Sequence, residues 1–269
     1  MTFSVIKEAP ASAANVALPE GVVRVDYASG VDGRSDWALA WAPVTGSVWV
    51  VVLHGHGSHG DQLYARADIR HHWLEPLRAA GLGLLTTNLR DNSWMCPAAV
   101  EDLHALLGWV RAHYGAQRFV FLSGSMGGTG NLIYATLHPE DCAAVVALGA
   151  TTDIEAYYAW LVGHKEGIQT QIGAAIAQAY GGTPAEEPDL YRRHSPLLHA
   201  ERLTMPVFTA HGEKDNLMPV DQLRQLAAKL KGQPNFIYQE IPGGTHDSPL
   251  LLKASMDWLI KQSTGSRGG

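Results

Sequence analysis

Short apolar runs alternate with amphipathic segments along most of the chain. Residues 47–53 (SVWVVVL) and 119–122 (FVFL) are almost entirely apolar, which is typical of strands buried on both faces of a sheet. Between them, residues 97–114 carry apolar side chains at helical spacing and begin with proline, a residue favoured in the first turn of a helix. Strands that alternate with helices predict an α/β fold with a mostly parallel central sheet and helices on both faces.

The same pattern predicts further elements on either side of these runs. Two β-like runs, at residues 21–29 and 37–44, flank a Gly-Val-Asp-Gly turn and predict a hairpin. The other predicted strands are 82–89, 143–148, 206–210 and 236–241, and the other predicted helices are 61–80, 128–137, 220–230 and 249–260.

Two segments depart from this alternation. Residues 154–205 lie between two predicted strands and contain helical stretches, so we interpret them as an inserted lid. Residues 1–20 are rich in alanine, proline and serine and predict a loosely held arm. We expect residues 1–269 to form a single domain, since α/β folds of this length often do.

The most informative turn is Ser123-Gly124-Ser125-Met126-Gly127, directly after an apolar strand and before a helix. It approximates the G-x-S-x-G nucleophile elbow, in which the central serine hydroxyl is exposed and its neighbours must be small. Serine replaces the first glycine. Centring the motif on Ser123 would place Phe121 at a small position, so Ser125 is the better candidate nucleophile.

A serine nucleophile requires a base, and the base requires an acid that fixes its tautomer. His246 lies in a glycine-rich loop directly after the last predicted strand and is the candidate base. Asp215 also follows a strand and is the favoured acid. Asp153, which follows the preceding strand, remains an alternative acid, although an N-cap role would explain it equally well.

A tetrahedral intermediate also requires hydrogen-bond donors for its oxyanion. The Met126 amide follows the nucleophile at the start of a helix and is one candidate donor. The second candidate is the His56 amide, in the turn His54-Gly55-His56-Gly57 that follows an earlier strand.

These motifs together resemble the α/β-hydrolase superfamily over roughly residues 20–262, in its order Ser125, Asp215, His246. The Gly212-x-x-Asp215 context is similar to small serine esterases and to prolyl-oligopeptidase-type catalytic domains. The resemblance implies a serine hydrolase that cleaves carboxylic esters of small molecules through an acyl-enzyme, without cofactor or metal. Peptidase or amidase activity is the alternative within the same chemistry.

Two other classes of protein compete with this interpretation. His54, His56 and His59 resemble the start of the metal site in metal-dependent amidohydrolases, which are TIM barrels and would need His211 and Asp215 as further ligands. That hypothesis leaves the elbow and the His246 loop unexplained. A non-catalytic binding protein on the same fold is the other alternative.

Four aromatic residues are candidate walls of a substrate pocket. Tyr157, Tyr158 and Trp160 lie in the predicted lid, and Trp94 follows an earlier strand. Each of them is equally well explained by packing in the core or the lid.

Composition narrows the function classes. The 26 acidic and 20 basic side chains give a net charge of −6, which argues against a nucleic-acid surface. The two cysteines, Cys96 and Cys142, provide no disulfide framework. The N-terminus does not show the basic and then apolar pattern of a signal peptide, and no apolar run approaches the length of about 20 residues that spans a membrane. We therefore expect a cytoplasmic protein that does not act at a membrane. The oligomeric state stays open.

Overall fold

Nine strands form one sheet in the computed structural model, which describes residues 1–11, 18–164 and 167–265. Their spatial order is β1-β2-β3-β5-β4-β6-β7-β8-β9, with β4 to β9 parallel and β1 to β3 antiparallel to their neighbours. The predicted mostly parallel sheet is therefore confirmed. The strands are β1 (Ser4–Pro10), β2 (Val22–Ala28), β3 (Ser35–Trp41), β4 (Val48–Leu53), β5 (Gly83–Thr87), β6 (Arg118–Gly124), β7 (Cys142–Leu148), β8 (Val207–Gly212) and β9 (Phe236–Ile241).

Helices connect the parallel strands. They are α1 (Gln62–Ala65), α2 (Ala67–Ile69), α3 (Glu75–Ala79), α4 (Pro97–Tyr114), α5 (Ser125–Leu137), α6 (Ile154–Val162), α7 (Ile168–Tyr180), α8 (Pro188–Arg193), α9 (Asp221–Lys229) and α10 (Lys253–Thr264). Short 3₁₀ turns lie at Pro139–Asp141, Pro196–Arg202 and Ser248–Leu251, and a π-helical turn at Arg70–Leu74 joins α2 to α3.

The helix predicted over residues 61–80 is interrupted. Arg66 has an extended backbone, with φ −82° and ψ 114°, and separates α1 from α2. The π-helical turn interrupts the α-helical hydrogen bonding again before α3. The segment is helical as predicted but bends twice, and the bends carry it along the rim of the site described below.

The sheet is covered on both faces, which explains its continuous apolar strands. In β4, Trp49, Val51 and Leu53 belong to the core under α4, α5 and the helices between β7 and β8. Val50 and Val52 point the other way and join the core under the π-helical turn, α3 and α10. Because both faces are buried, both sets of side chains in β4 are apolar.

The expectation of a loose N-terminal arm is wrong for part of residues 1–20. Ser4–Pro10 forms β1, which pairs antiparallel with β2 at the edge of the sheet. Phe3 packs its ring against Tyr27, with centroids 5.3 Å apart. Most β1 side chains are exposed, so main-chain pairing rather than an apolar face holds the strand, and composition did not reveal it. Residues 12–17 of the predicted arm lie outside the described residues.

The segment interpreted as a lid contains α6, α7, α8 and a 3₁₀ turn between β7 and β8. Residues 165 and 166 lie outside the described residues. Helices α6 and α7 pack against each other above the carboxyl end of the sheet, the edge at which β4, β6, β8 and β9 end. Within the part of the chain that the structure describes, no helix is both long and apolar enough to cross a membrane.

Candidate active site

The turn between β6 and α5 is tight and strained. Ser125 is the first residue of α5 and has φ 58°, in the left-handed region that non-glycine residues rarely adopt. A side chain on Gly127 would overlap the carbonyl oxygen of Leu53, and one on Gly124 would overlap Leu250. The surroundings thus hold Ser125 in this conformation, as in a nucleophile elbow.

Ser123 occupies the position that is glycine in the motif, and it has a structural role there. Its hydroxyl accepts the Leu53 amide N–H at 2.9 Å and lies 3.2 Å from Asn131 Oδ1, to which it donates. The backbone register between β4 and β6 ends at the pair Val51 and Phe121, so the side chain continues the link between these strands. Serine is therefore accommodated without loosening the turn.

The structure brings Ser125, His246 and Asp215 together. His246 Nε2 lies 2.9 Å from Ser125 Oγ, and its Nδ1 lies 2.7 Å from Asp215 Oδ2. Each side chain follows a different strand, and the three strands end at the same edge of the sheet. With Nδ1–H donating to the carboxylate, Nε2 is left to accept the serine proton.

The Asp215 carboxylate is buried and accepts hydrogen bonds on both oxygens. Oδ1 accepts the amide N–H groups of Leu217 at 2.8 Å and Met218 at 2.9 Å. Oδ2 accepts from His246 and lies 3.1 Å from His211 Nε2. Burial raises the pKa of Asp215, but the hydrogen bonds from His211, His246 and Met218 outweigh it and hold the pKa below its ordinary value. The carboxylate is thus ionised at neutral pH.

Asp153, the alternative acid, lies at the N-cap of α6. Its Oδ1 accepts the Ala156 amide N–H at 3.0 Å and the Ser195 hydroxyl at 3.2 Å. The carboxylate is therefore engaged in starting the helix, and the structure joins His246 to Asp215 instead.

The two candidate oxyanion donors flank the nucleophile. Met126 is the second residue of α5, where amides have no partner within the helix. The turn at residues 54–57 approaches from the other side, since a side chain on Gly55 would lie 3.9 Å from Ser125 Cβ. Gly55 and Gly57 donate their amides to Gln62 and Asn92, respectively. Within the described residues the His56 amide between them donates no hydrogen bond.

A cavity of about 240 Å³ opens at the Ser125 hydroxyl. Two segments from which the sequence analysis selected no pocket residue form part of its walls, the bent stretch around the π-helical turn and the start of α7. No sequence signal marked the first segment, because its bends leave the apolar periodicity intact, whereas the second segment lies in the predicted lid. The apolar lining residues are Leu53, Ile69, Trp73, Tyr157, Ile168, Ile172, Leu217, Met218 and Leu250, and the polar ones include Gln62, Arg66 and Asp247.

Of the four aromatic residues predicted as pocket walls, Tyr157 lines this cavity and the other three do not. Trp94 is completely buried behind it, with its ring 5.6 Å from that of Tyr157. Trp160 stacks on the far side of Tyr157 at 5.9 Å. Tyr158 packs edge-on against Tyr191. Helical geometry explains the position of Tyr158, because adjacent residues of α6 face different directions.

The arrangement contradicts the amidohydrolase alternative. An open nine-stranded sheet over the described residues is not a TIM barrel. Both ring nitrogens of His54 contact backbone carbonyl oxygens. Within residues 1–11, 18–164 and 167–265, one group of three histidine and carboxylate side chains is close enough to share an ion: His104, His138 and Asp141. This group is remote in sequence from the turn at His54. Its aspartate already accepts hydrogen bonds from a tyrosine and an arginine.

Comparison with known proteins finds similarity to several hydrolases. The BD-FAE family profile matches residues 43–230. The chain is 26% identical to Esterase LipC of Mycobacterium tuberculosis over 242 residues, which cover 81% of this chain and 56% of that protein.

Solved structures share the fold at low sequence identity. A Mycobacterium tuberculosis puromycin-hydrolyzing peptidase has a TM-score of 0.69 and 21% identity, covering 88% of this chain and 38% of that one. The Pyrococcus furiosus esterase Pf2001 has a TM-score of 0.67 and 15% identity, covering 91% and 93%. The chain spans about half the length of LipC and less than half of the peptidase.

Proposed function

Because the chain belongs to the BD-FAE family and has the α/β-hydrolase fold, we propose that it is a carboxylic ester hydrolase with Ser125, His246 and Asp215 as its catalytic triad. The observation that carries the proposal is the hydrogen-bonded chain from Ser125 Oγ through His246 to Asp215, at 2.9 and 2.7 Å. The similarity to an esterase supports the same reaction class.

The reaction proceeds in two halves through an acyl-enzyme. Ser125 Oγ attacks the ester carbonyl carbon while His246 Nε2 takes the hydroxyl proton, and the carbonyl oxygen becomes an oxyanion. The amide N–H groups of His56 and Met126 donate to that oxygen. His246 then gives its proton to the departing alkoxide, so an alcohol leaves and the acyl group stays on Ser125. Water repeats these steps and releases the carboxylic acid.

The cavity favours esters of short, uncharged acyl groups. Its volume of about 240 Å³ lies below the range of about 300–1,000 Å³ usual for drug-sized ligands. Arg66, a positively charged lining residue, donates to Asp68 and Asp247, so its charge is already neutralised. A substrate carboxylate would gain little from this side chain.

A fluorophosphonate probe tests the nucleophile directly. The wild-type protein should be labelled on the peptide that contains Ser125, and Ser125→Ala should abolish both labelling and ester hydrolysis. Ser123→Ala is the matched control, since its hydroxyl is buried between strands, and labelling should persist. Labelling of Ser125→Ala, or hydrolysis that survives in it, would refute the assignment.

The ester and amide alternatives are separated with one acyl group on two leaving groups. We expect the wild-type protein to hydrolyse p-nitrophenyl acetate and not to cleave p-nitroacetanilide above the rate measured with Ser125→Ala. Because the activated ester is intrinsically the more reactive substrate, cleavage of the anilide above that rate would favour the peptidase or amidase alternative.

A further inference from the structure

Residues 88–95, between β5 and α4, have a rare backbone conformation, and we call them the support loop. Left-handed φ values in non-glycine residues are uncommon, and they persist only where the surroundings enforce them. Such residues cluster at functional sites, yet no side chain of this loop belongs to the proposed triad. The left-handed residues are Leu89, Arg90, Asp91, Trp94 and Met95, with φ between 43° and 65°.

A network of charged side chains anchors one end of the support loop. The Arg90 side chain is only 8% exposed and donates to Asp32, Ser29 and Asp102. Its backbone N–H donates to Asp36. These contacts reach the β2–β3 turn, strand β3 and helix α4, so the support loop cannot relax without breaking the buried ion pair of Arg90 and Asp102.

The other side of the support loop contacts the turn at residues 54–57, which we call the oxyanion turn. Three of the four residues in that turn bond to it, through a backbone carbonyl, a side-chain amide and an indole. The bonds join His54 Nε2 to the Asn88 carbonyl oxygen at 2.9 Å, the Trp94 Nε1–H to His56 Nδ1 at 3.3 Å and the Gly57 N–H to Asn92 Oδ1 at 2.7 Å.

The contact between Trp94 and His56 requires a neutral imidazole. Burial, with a smaller contribution from His54, lowers the pKa of His56, so Nδ1 keeps a lone pair that accepts the indole N–H. Trp94 is itself immobilised: it is completely buried, and its carbonyl accepts the Tyr180 hydroxyl at 3.1 Å. A rigid donor thus holds the residue whose amide N–H is the candidate oxyanion donor.

We propose that Trp94 and Asn92 are positioning residues, which aim the His56 amide at the oxyanion by holding the His56 side chain and the residue that follows it, Gly57. This inference rests on the proposed function. Asn92 fixes Gly57 through its amide N–H, and Trp94 fixes the His56 ring. Oxyanion stabilisation depends on donors that are in place before reaction, because reorganising them would cost part of the stabilisation. The strained support loop holds the oxyanion donor in place before the reaction begins.

A double-mutant cycle tests the role of Trp94. Trp94→Phe removes the N–H and keeps an aromatic ring; it should lower kcat about tenfold and leave KM within about twofold. That loss is smaller than the roughly 10²–10³ expected when an oxyanion donor is removed altogether. In a His56→Ala background, which lacks the acceptor ring, Trp94→Phe should change kcat less than twofold. An equal loss in both backgrounds would show a general packing effect and overturn the inference.

Asn92→Ala provides an independent measurement, which also serves if Trp94→Phe does not fold. This variant should have a lower kcat. Its affinity for a boronic acid that forms a tetrahedral adduct on Ser125 should fall by the same factor as kcat/KM. Trp109→Phe, on the outer part of α4, is the control and should change neither. Thermal melting verifies that every variant is folded. Unchanged kcat and boronic acid affinity in Asn92→Ala would overturn the inference.

Failure of the proposed function has a different signature. Full activity in Ser125→Ala would overturn both the triad and this inference. If Ser125 is essential but Trp94→Phe and Asn92→Ala behave as wild type, only the support-loop inference is wrong.

Discussion

Asp215→Asn should inactivate the protein because the structure dictates how the new amide must lie. Oδ1 of Asp215 accepts two backbone N–H groups, from Leu217 and Met218, so asparagine must place its carbonyl oxygen there. Its NH₂ group then takes the position of Oδ2, 2.7 Å from His246 Nδ1. A donor at this point requires a lone pair on Nδ1, which moves the ring proton to Nε2. Nε2 can then no longer accept the Ser125 proton.

The expected loss is about four orders of magnitude in kcat, as for the same change in a serine protease triad. At about 1.36 kcal/mol per factor of ten, this is roughly 5.5 kcal/mol of activation free energy. Asp153→Asn is the matched control. Asparagine caps helices as well as aspartate, so this variant should lose at most ~1 kcal/mol of stability and keep its kcat.

The assay is kcat for both variants on p-nitrophenyl acetate, with thermal melting to verify folding. An inactive Asp153→Asn variant beside an active Asp215→Asn variant would show that the acid had been assigned to the wrong strand. Loss of activity in Asp215→Asn through unfolding would appear as a lowered melting temperature, and the comparison then moves to a temperature at which the variant is folded.

Two further predictions concern stability. Gly127→Ala would force Cβ against the carbonyl of Leu53, with the carbonyl carbon at 2.8 Å, and should destabilise the protein by about 1–3 kcal/mol. Gly108→Ala, on the open side of α4, should instead stabilise it by about 0.5–1 kcal/mol. Equal melting temperatures of the two variants would contradict this prediction. Because the pKa of Asp215 is depressed in the folded protein, its carboxylate stabilises above the unfolded value of about 3.9, and this contribution is lost as the pH falls towards the folded value. The wild-type protein should therefore exceed Asp215→Asn in free energy of unfolding by an amount that shrinks below about pH 4. A difference between the two proteins that does not depend on pH would refute this prediction.

The local pattern of apolar and polar residues was sufficient to predict much of the fold. Proline at the first position and apolar spacing predicted α4 with the bounds that the structure has. The central strands were predicted because burial on both faces makes most of their residues apolar. The breaks at Arg66 and in the π-helical turn were not predicted, since periodicity does not record a single extended residue. Arg66 reaches Asp247, distant in sequence, and such a contact lies outside any local window.

The candidate site divides in the same way. Ser125, His246 and Asp215 were found because each follows a strand, and parallel strands bring their carboxyl ends to one edge of the sheet. The cavity walls come from segments far apart in sequence, so which aromatic residue faces the cavity depends on packing. Trp94 shows this well: its loop has no periodicity from which burial could be predicted, and it lies behind the cavity rather than in its wall.

Ser123 has a consequence for how relatives of this chain are recognised. Its backbone is that of an ordinary strand, and its hydroxyl joins two strands, so the first position of the elbow motif tolerates a small polar residue. At Gly127 any side chain would clash with main-chain atoms of Leu53, which are fixed in strand β4. A search pattern that demands glycine at both positions would pass over this chain, whereas one that demands it only at the second would find it.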